Sequence, residues 1–406
     1  MPPHPELRQA WPVILACFAV AIHAWGFGFY GMSVFVARLQ AEQGWSTSLV
    51  SGATIAFYLV GAVMVARMPL VLAAIGPRLV LPAGVALMSL GAITAGQATA
   101  PWQMIAGFLI MGAGWSATSV AGIAATLALW FDTRRGLAIS LALNGASVAG
   151  FTIAPALVVL ADAHGLANGA LWLALASAAI IIPLTLLGLL PARPPAPTAA
   201  AKAIAQGDPR PAYTTQAEAL RSWHFWSVAA PYALILMAQV GFLVHLVSIL
   251  TPPLGASGAG IALALVSAVA VLGRVGLGLV IDRIPQRPTA VIGLMLQATG
   301  LLLIAALPAS PAALYTGCLL YGIWVGNNIS LPSQIIQREF ATASFGLVVG
   351  LSTAIGQTSY AFAPALLGAT HDLTGGYPAV LLLTAGMTAL GAITLLAGRA
   401  HAHTIR

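Results

Sequence analysis

The sequence predicts an all-α membrane protein of twelve transmembrane helices arranged as two six-helix bundles, and three observations carry that expectation. Charge is scarce: of 406 residues 60% are hydrophobic and only 6% are charged, too few to cover a water-soluble surface of that size. Apolar runs of about 20 residues, the length a helix needs to cross the hydrocarbon layer, recur twelve times between charged or Pro/Gly punctuation. Several short patterns also return at a constant distance along the chain.

The runs begin near Trp11, Ser46, Leu79, Trp102, Gly136, Gly169, Trp223, Gly258, Pro288, Pro311, Ser344 and Pro378. The first, at about 28 residues, is too long for the apolar core of a cleaved signal and reads as a retained helix. From Pro191 to Arg221 the hydropathy collapses into Pro-Ala-Arg-Pro-Pro-Ala-Pro-Thr and a mixed polar stretch. The chain thus divides into a bundle over 1–190, a cytoplasmic linker over 191–221 and a second bundle over 222–406, with a short surface helix expected near Thr215 to Ser222. A shift of 209 or 210 residues lays Pro101 on Pro311, Gly112 on Gly322, Gly136-Leu137 on Gly346-Leu347, Ala154-Pro155-Ala156-Leu157 on Ala363-Pro364-Ala365-Leu366, and Arg78 on Arg287. One offset across five connected places argues for a parallel repeat of six helices, the symmetry of many secondary carriers.

Net charge is +7, and its distribution is topological. When the connections alternate, fourteen of the sixteen Lys and Arg fall on one side and only Arg38 on the other, with Arg274 inside a run. That asymmetry places both termini in the cytoplasm and gives no reason to expect nucleic acid; the partner is the lipid bilayer of a cytoplasmic (inner) membrane. Cys17 and Cys318 lie in separate apolar runs and suggest neither a disulfide nor a metal site. With no nucleophile and base set, no metal-ligand cluster and no phosphate-binding glycine loop, an enzyme is not expected, nor a cofactor.

Within the segment Gly258 to Arg287, Arg274 lies roughly 12 Å inside the boundary marked by Asp282, at 1.5 Å per residue. A guanidinium there costs at least about 2.5 to 3.5 kcal/mol and cannot shed its proton. Either it faces a water-filled cavity and holds an anion, or it is structural, snorkelling to the headgroups or bonding to carbonyls. Few polar residues share its depth. His23, Phe27 and Tyr30 share a face at i, i+4 and i+7; elsewhere stand Trp115, Asn144, Gln239, Tyr321, Trp324, Asn327, Asn328, Gln357 and Tyr360. One cation, several amide, indole or hydroxyl groups and apolar walls suit a small carboxylate. All nine acidic residues fall in loops or at helix ends, which leaves His23 and His245 as the membrane groups that titrate near neutral pH and the candidates for proton coupling.

The run Gly276 to Arg283, Gly-Leu-Gly-Leu-Val-Ile-Asp-Arg, resembles the loop motif of the major facilitator superfamily; in the first half only Gly76 and Arg78 of that motif survive. The resemblance implies a cytoplasmic gate built on Asp282, Arg283 and the loop of Asp132, Arg134 and Arg135. Within the superfamily four stretches resemble the monocarboxylate carrier and oxalate/formate exchanger branch: Phe29 to Phe35 with Glu42-Gln43-Gly44-Trp45-Ser46, Trp130-Phe131 through Arg134 to Ala138, His245-Leu246-Val247, and Gly273-Arg274. In that branch the arginine matching Arg274 binds the substrate carboxylate, and the places of Tyr30 and Trp324 line the cavity. The aspartate that animal relatives carry one turn earlier is Ala270 here, and the second cation of the exchangers is matched by Ser352, which favours a single negative charge. The expectation is a carrier, functional as a monomer, for a small organic acid, by proton symport or anion exchange. An exporter of amphipathic drugs and a non-transporting sensor on the same scaffold are the alternatives.

Overall fold

The computed structural model describes residues 5–131, 134–189 and 211–404; Asp132 and the linker residues 191–210 lie outside them. The described residues are nearly all helical, with no strand among them, as hydrocarbon requires of a backbone that must satisfy its own hydrogen bonds. The chain folds as two compact units, one drawn from Met1–Arg210 and Ala341–Ala354, the other from Pro211–Phe340 and Ile355–Arg406.

Unit 1 opens with α1 (Pro5–Trp25), a π turn (Gly26–Tyr30) and α2 (Gly31–Gln43), then α3 (Thr47–Val65) and α4 (Met68–Ile75). It continues through α5 (Pro77–Gly96), α6 (Pro101–Thr118), α7 (Val120–Leu127), α8 (Arg135–Ala149) and α9 (Ile153–Gly188). Unit 2 holds α10 (Gln216–Arg221), α11 (Trp223–Val280), α12 (Gln286–Ala306), α13 (Pro311–Val325) and α14 (Asn327–Glu339), then the later part of α15 (Phe345–Ala361), α16 (Ala363–Thr374) and α17 (Tyr377–Thr404). The helix anticipated near Thr215 is α10; its N-cap is Thr215, and hydrogen bonds from Thr214 hold the Glu218 carboxyl below the usual carboxylate range.

Among the described residues eight helices are long and apolar enough to cross a membrane, and the pair Gly52–Val65 and Met68–Ile75, bent by 58°, makes a ninth. The stretch Arg135–Gly188, at 54 residues, is two crossings joined at Gly165. Single-residue breaks at Gly326 and Phe362 divide the tenth and eleventh rods, α13 with α14 and α15 with α16. The rods therefore number twelve, close to the starts expected from hydropathy.

Each break has a local cause. Pro69 enters at the start of α4 and cannot continue the hydrogen-bond ladder of α3, so the chain bends and leaves Arg67 exposed at the elbow. Gly165 (φ 79°) and Gly255 (φ 72°) adopt the left-handed conformation that glycine alone takes at little cost. Just past Gly165, the Leu166 N–H donates to the Glu42 carboxylate at 3.2 Å, so a side chain from α2 caps the sixth crossing. Arg38, isolated on the sparsely charged side, forms an ion pair with Asp162 in the same unit.

Close backbone approach between helices, the main source of helix association in lipid, recurs at the repeat offset. A Cβ on Gly91 would lie 2.5 Å from the Gly107 carbonyl and one on Gly107 2.8 Å from that of Gly91; Gly300 and Gly317 mirror this at 2.6 and 2.7 Å. The two pairs differ by the 209 and 210 residues of the sequence repeat. Arg78 and Arg287, matched by the same shift, part company. Arg78 is exposed, whereas Arg287 is buried and its guanidinium is filled. Nε and Nη2 each donate to Glu339 at 2.7 Å, Nη2 also to Ser227 Oγ, and Nη1 to the carbonyls of Ser227 and Leu395. The position 210 before Glu339 is Leu129, so the repeat places no carboxylate there to draw Arg78 inward. At the opposite end of unit 2, near Gly255, an apolar cavity of about 600 Å³ is lined by Ile249, Pro252, Pro253, Ile304, Pro308 and Tyr377.

Arg287→Ala is expected to destabilise the protein by about 3 to 5 kcal/mol, because Glu339 would be left without its buried partner. Thermal unfolding of the purified protein in detergent checks this, and Arg287→Lys, which keeps the charge and loses the fork, should fall between parent and alanine.

Candidate functional site

Arg274 lies on α11, six residues before Val280, or roughly 9 Å inside the end of its span. It is 1% exposed, the largest of the fully buried side chains. Its Nε donates to the Gly326 carbonyl at 2.9 Å. That carbonyl belongs to the break between α13 and α14, so the arginine meets the tenth crossing where the regular ladder is interrupted. The approach needs bare backbone on both sides: a Cβ on Gly273 would lie 1.8 Å from the Ile323 carbonyl, and one on Gly326 3.1 Å from Arg274 Nη2.

The tenth crossing also carries the polar stripe expected from its spacing. Tyr321 stacks on Phe242 with ring centroids 4.6 Å apart, and its hydroxyl makes no hydrogen bond of ordinary geometry although Gln297 adjoins it. The Trp324 indole lies over Gly293 of α12, where a Cβ would be 1.8 Å from the ring, and its Nε1 is without a hydrogen-bond acceptor. Asn328 Nδ2 donates to both Gln239 and Gln297 at 2.9 Å, which ties α11, α12 and α14 together through a buried amide node. Gln297 thus belongs to this node. Asn327 is 1% exposed, and its Oδ1, like that of Asn328, accepts no hydrogen bond. Gln357 on α15 is fully buried, and Tyr360 half-buried. The structure therefore gathers Arg274, Tyr321, Trp324 and Asn327 on two adjoining rods of unit 2.

The unit 1 candidates are set among different neighbours. His23 is wholly buried, with Nδ1 3.1 Å from Ser177 Oγ and Nε2 3.3 Å from Ser89 Oγ, so both ring nitrogens face hydroxyls of α9 and α5. It stacks on Phe27 at 5.0 Å. Tyr30 departs from the face expected at i+7, because the π turn at Gly26–Tyr30 inserts an extra residue into the helical turn. Its ring instead packs on Phe29 and beside Gly150. Trp115 is enclosed by Trp25 at 5.0 Å and Phe57 at 5.9 Å, and its indole fills the space left by Gly28. Asn144 is 6% exposed, with an Oδ1 that accepts nothing. His245, in unit 2, is half-buried with Nε2 3.3 Å from the Pro364 carbonyl.

Of the expected gate, Asp132 is outside the described residues. Arg134 is half-buried, and Arg135 is buried, with Nε on the Phe131 carbonyl at 2.8 Å and the guanidinium 5.0 Å from the Phe345 ring centre. Asp282 is half-buried and Arg283 exposed. Arg338 also holds their loop, its guanidinium donating to the carbonyls of Asp282 and Ile284. Sequence patterning passes over Arg338 as a topological charge. The signal available was its neighbour Glu339, which ends an unusually polar stretch of α14.

These features define a polytopic carrier, and the comparisons assign it. The Major Facilitator Superfamily profile matches residues 16–364 and again 254–404, so the chain belongs to that superfamily. It is similar to human (Homo sapiens) monocarboxylate transporter 11, 26% identical over 95% of this chain and 82% of that protein. Monocarboxylate transporter 13 of Bos taurus is 24% identical over 97% of this chain and 90% of its own length. The solved proton:xylose symporter XylE superposes with a TM-score of 0.81, covering 97% of this chain and 96% of that one at 12% identity, a likeness of fold. The chain is a multi-pass membrane transporter of that superfamily and not an enzyme.

His23→Ala is expected to lower thermal stability by about 1 to 3 kcal/mol, the cost of two lost hydrogen bonds and of the space opened beside Phe27, with Ser89 and Ser177 keeping only the Ala174 carbonyl. The pH profile of transport by His23→Gln is the second measurement. A hydroxyl clamp leaves the profile where it is in the parent, whereas a proton-carrying histidine moves it.

Proposed function

We propose that this protein is a secondary active transporter of a small monocarboxylate anion, moved by alternating access as proton symport or as exchange of one anion for another. The observation that carries this reading is Arg274, a permanently charged planar fork, 1% exposed, well inside an apolar span. The Gly326 carbonyl accepts from its Nε at 2.9 Å, which fixes one edge of the fork. A carboxylate matches the guanidinium in charge and in the spacing of its two oxygens. Trp324 Nε1 and the oxygens of Asn327 and Tyr321, buried in the same unit without hydrogen-bond partners, supply further polar contacts for a bound acid or its waters.

The names of the relatives agree with this substrate class. Ser352, where the exchangers resembled in the sequence carry a second cation, supports a single negative charge on the substrate. Lactate, pyruvate and related short 2-hydroxy or 2-oxo acids are the ligands to try first. The abundance of Arg on one side supports cytoplasmic termini, and with them a place in the cytoplasmic (inner) membrane. Where transport is coupled to protons, His23 and His245 are the groups to carry them.

A thermal-shift screen of the purified protein against a panel of carboxylates at several pH values tests the reading, since a ligand of the folded carrier raises its melting temperature. Arg274→Lys should fold and lose most of the shift, at least tenfold in affinity; equal shifts in parent and variant would remove Arg274 from the site. In proteoliposomes counterflow is expected to outrun net uptake, because the loaded carrier takes a neutralised arginine through its occluded state and the empty one takes the charge across without a bound anion. Comparable rates would rule this out.

A further inference from the structure

We propose that Gly326 is a positioning residue for Arg274: its carbonyl sets the orientation of the guanidinium, and its missing side chain leaves the space in which that group lies. The inference deepens the function proposed above and rests on it for the step from orientation to substrate affinity.

Two observations meet at this residue. Arg274 Nε donates to the Gly326 carbonyl at 2.9 Å, which ties the plane of the guanidinium to the backbone of the tenth crossing. A Cβ at position 326 would lie 2.7 Å from the Ala270 carbonyl, 3.1 Å from Arg274 Nη2 and 3.3 Å from Arg274 Cζ. Backbone conformation does not demand a glycine here, because Gly326 has φ −63° and ψ −31°, values open to any residue. The demand is for space. Arg274 and Ala270 are one turn apart on α11, so a methyl group at 326 would press on the guanidinium and on the helix that carries it.

The surrounding seam makes relief by small movement difficult. One turn before Gly326, Gly322 lies against Val266, with a hypothetical Cβ 2.8 Å from the Val266 Cα, and Gly273 meets the Ile323 carbonyl. The two backbones are already at closest approach, so an added methyl group pushes on the Ala270 carbonyl and displaces Arg274, the neighbouring side chain that can still move. Gly322 borders the same seam without touching the guanidinium and provides the control. The repeat shift of 210 puts Ser116 at the place of Gly326, and the shifts of 209 and 210 put Val65 and Met64 at the place of Arg274, so the arrangement belongs to unit 2 alone.

The test combines Gly326→Ala, Gly322→Ala and Arg274→Lys with the double variant Gly326→Ala/Arg274→Lys, each measured for melting temperature and for affinity toward the carboxylate that gives the parent its largest thermal shift. Gly326→Ala is expected to weaken that affinity at least tenfold, with KM in proteoliposome counterflow rising more than the maximal rate falls. Gly322→Ala should lower the melting temperature and leave affinity within about twofold of the parent, as expected of a site that does not touch the ligand's partner. Lysine lacks the Nη2 that the methyl group would meet at 3.1 Å, and its single ammonium can swing away from the place of Cζ, so the loss of melting temperature in the double variant should fall short of the sum of the single losses.

Additive losses, or unchanged affinity in Gly326→Ala, would overturn the proposal. If Gly326→Ala alone does not fold, recovery of a folded protein by the added Arg274→Lys supports it, and failure to recover overturns it. A parent that binds no carboxylate on the panel would sink the substrate reading, and the comparison of melting temperatures would still decide whether Gly326 positions Arg274.

Discussion

A guanidinium keeps its proton wherever the fold puts it, so every arginine buried in an apolar bundle imposes a polar surrounding on its neighbours. Three buried arginines meet that constraint differently. Arg287 is neutralised by Glu339 and surrounded by acceptors. Arg135 lies against the Phe345 ring and a backbone carbonyl. Arg274, deepest in its span, is tied to a carbonyl at a break in the opposing helix. The tenth crossing has its break and Gly326 against this charge, and its polar stripe lies in the same turns of the rod, turned toward α12 and the seventh crossing.

Glycine does the structural work that side-chain packing does in water-soluble cores. The Gly91–Gly107 and Gly300–Gly317 contacts show that what the two halves share is a pattern of backbone approach. Side chains placed on this common frame have diverged. At Asn328 an amide donates to Gln297, while the matching Thr118 hydroxyl lies 3.2 Å from the sulfur of the matching Met88. A hydrogen bond between the same two rods has thus been kept with altered chemistry.

Most of the architecture was legible in the sequence because the bilayer fixes the length of an apolar run and glycine spacing reports where helices touch. Arg274 was legible for the same reason: a charge in such a run stands out. The directions of side chains were not. The π turn at Gly26–Tyr30 rotates Tyr30 off the face of His23 and Phe27, and nothing in Gly-Phe-Gly-Phe-Tyr announces the inserted residue. His23 looked like a titrating group of the interior, yet its serines lie 66 and 154 residues away, beyond the reach of local pattern. Gly326 was one glycine among 42, and its role depends on a side chain 52 residues earlier.

The Arg287 cluster bears on where unit 2 can deform. One side chain holds the start of the seventh crossing at Ser227, the end of the tenth at Glu339 and the twelfth at Leu395, from its own position at the start of the ninth. Shear among those four rods would have to break a charged fork and several carbonyl bonds together, so that end behaves as a stiff plate. The far end has prolines at 252, 253 and 308, a left-handed glycine and open apolar volume. Elastic compliance in this half of the carrier is therefore graded along the membrane normal, rigid where the basic residues gather and yielding where they are absent.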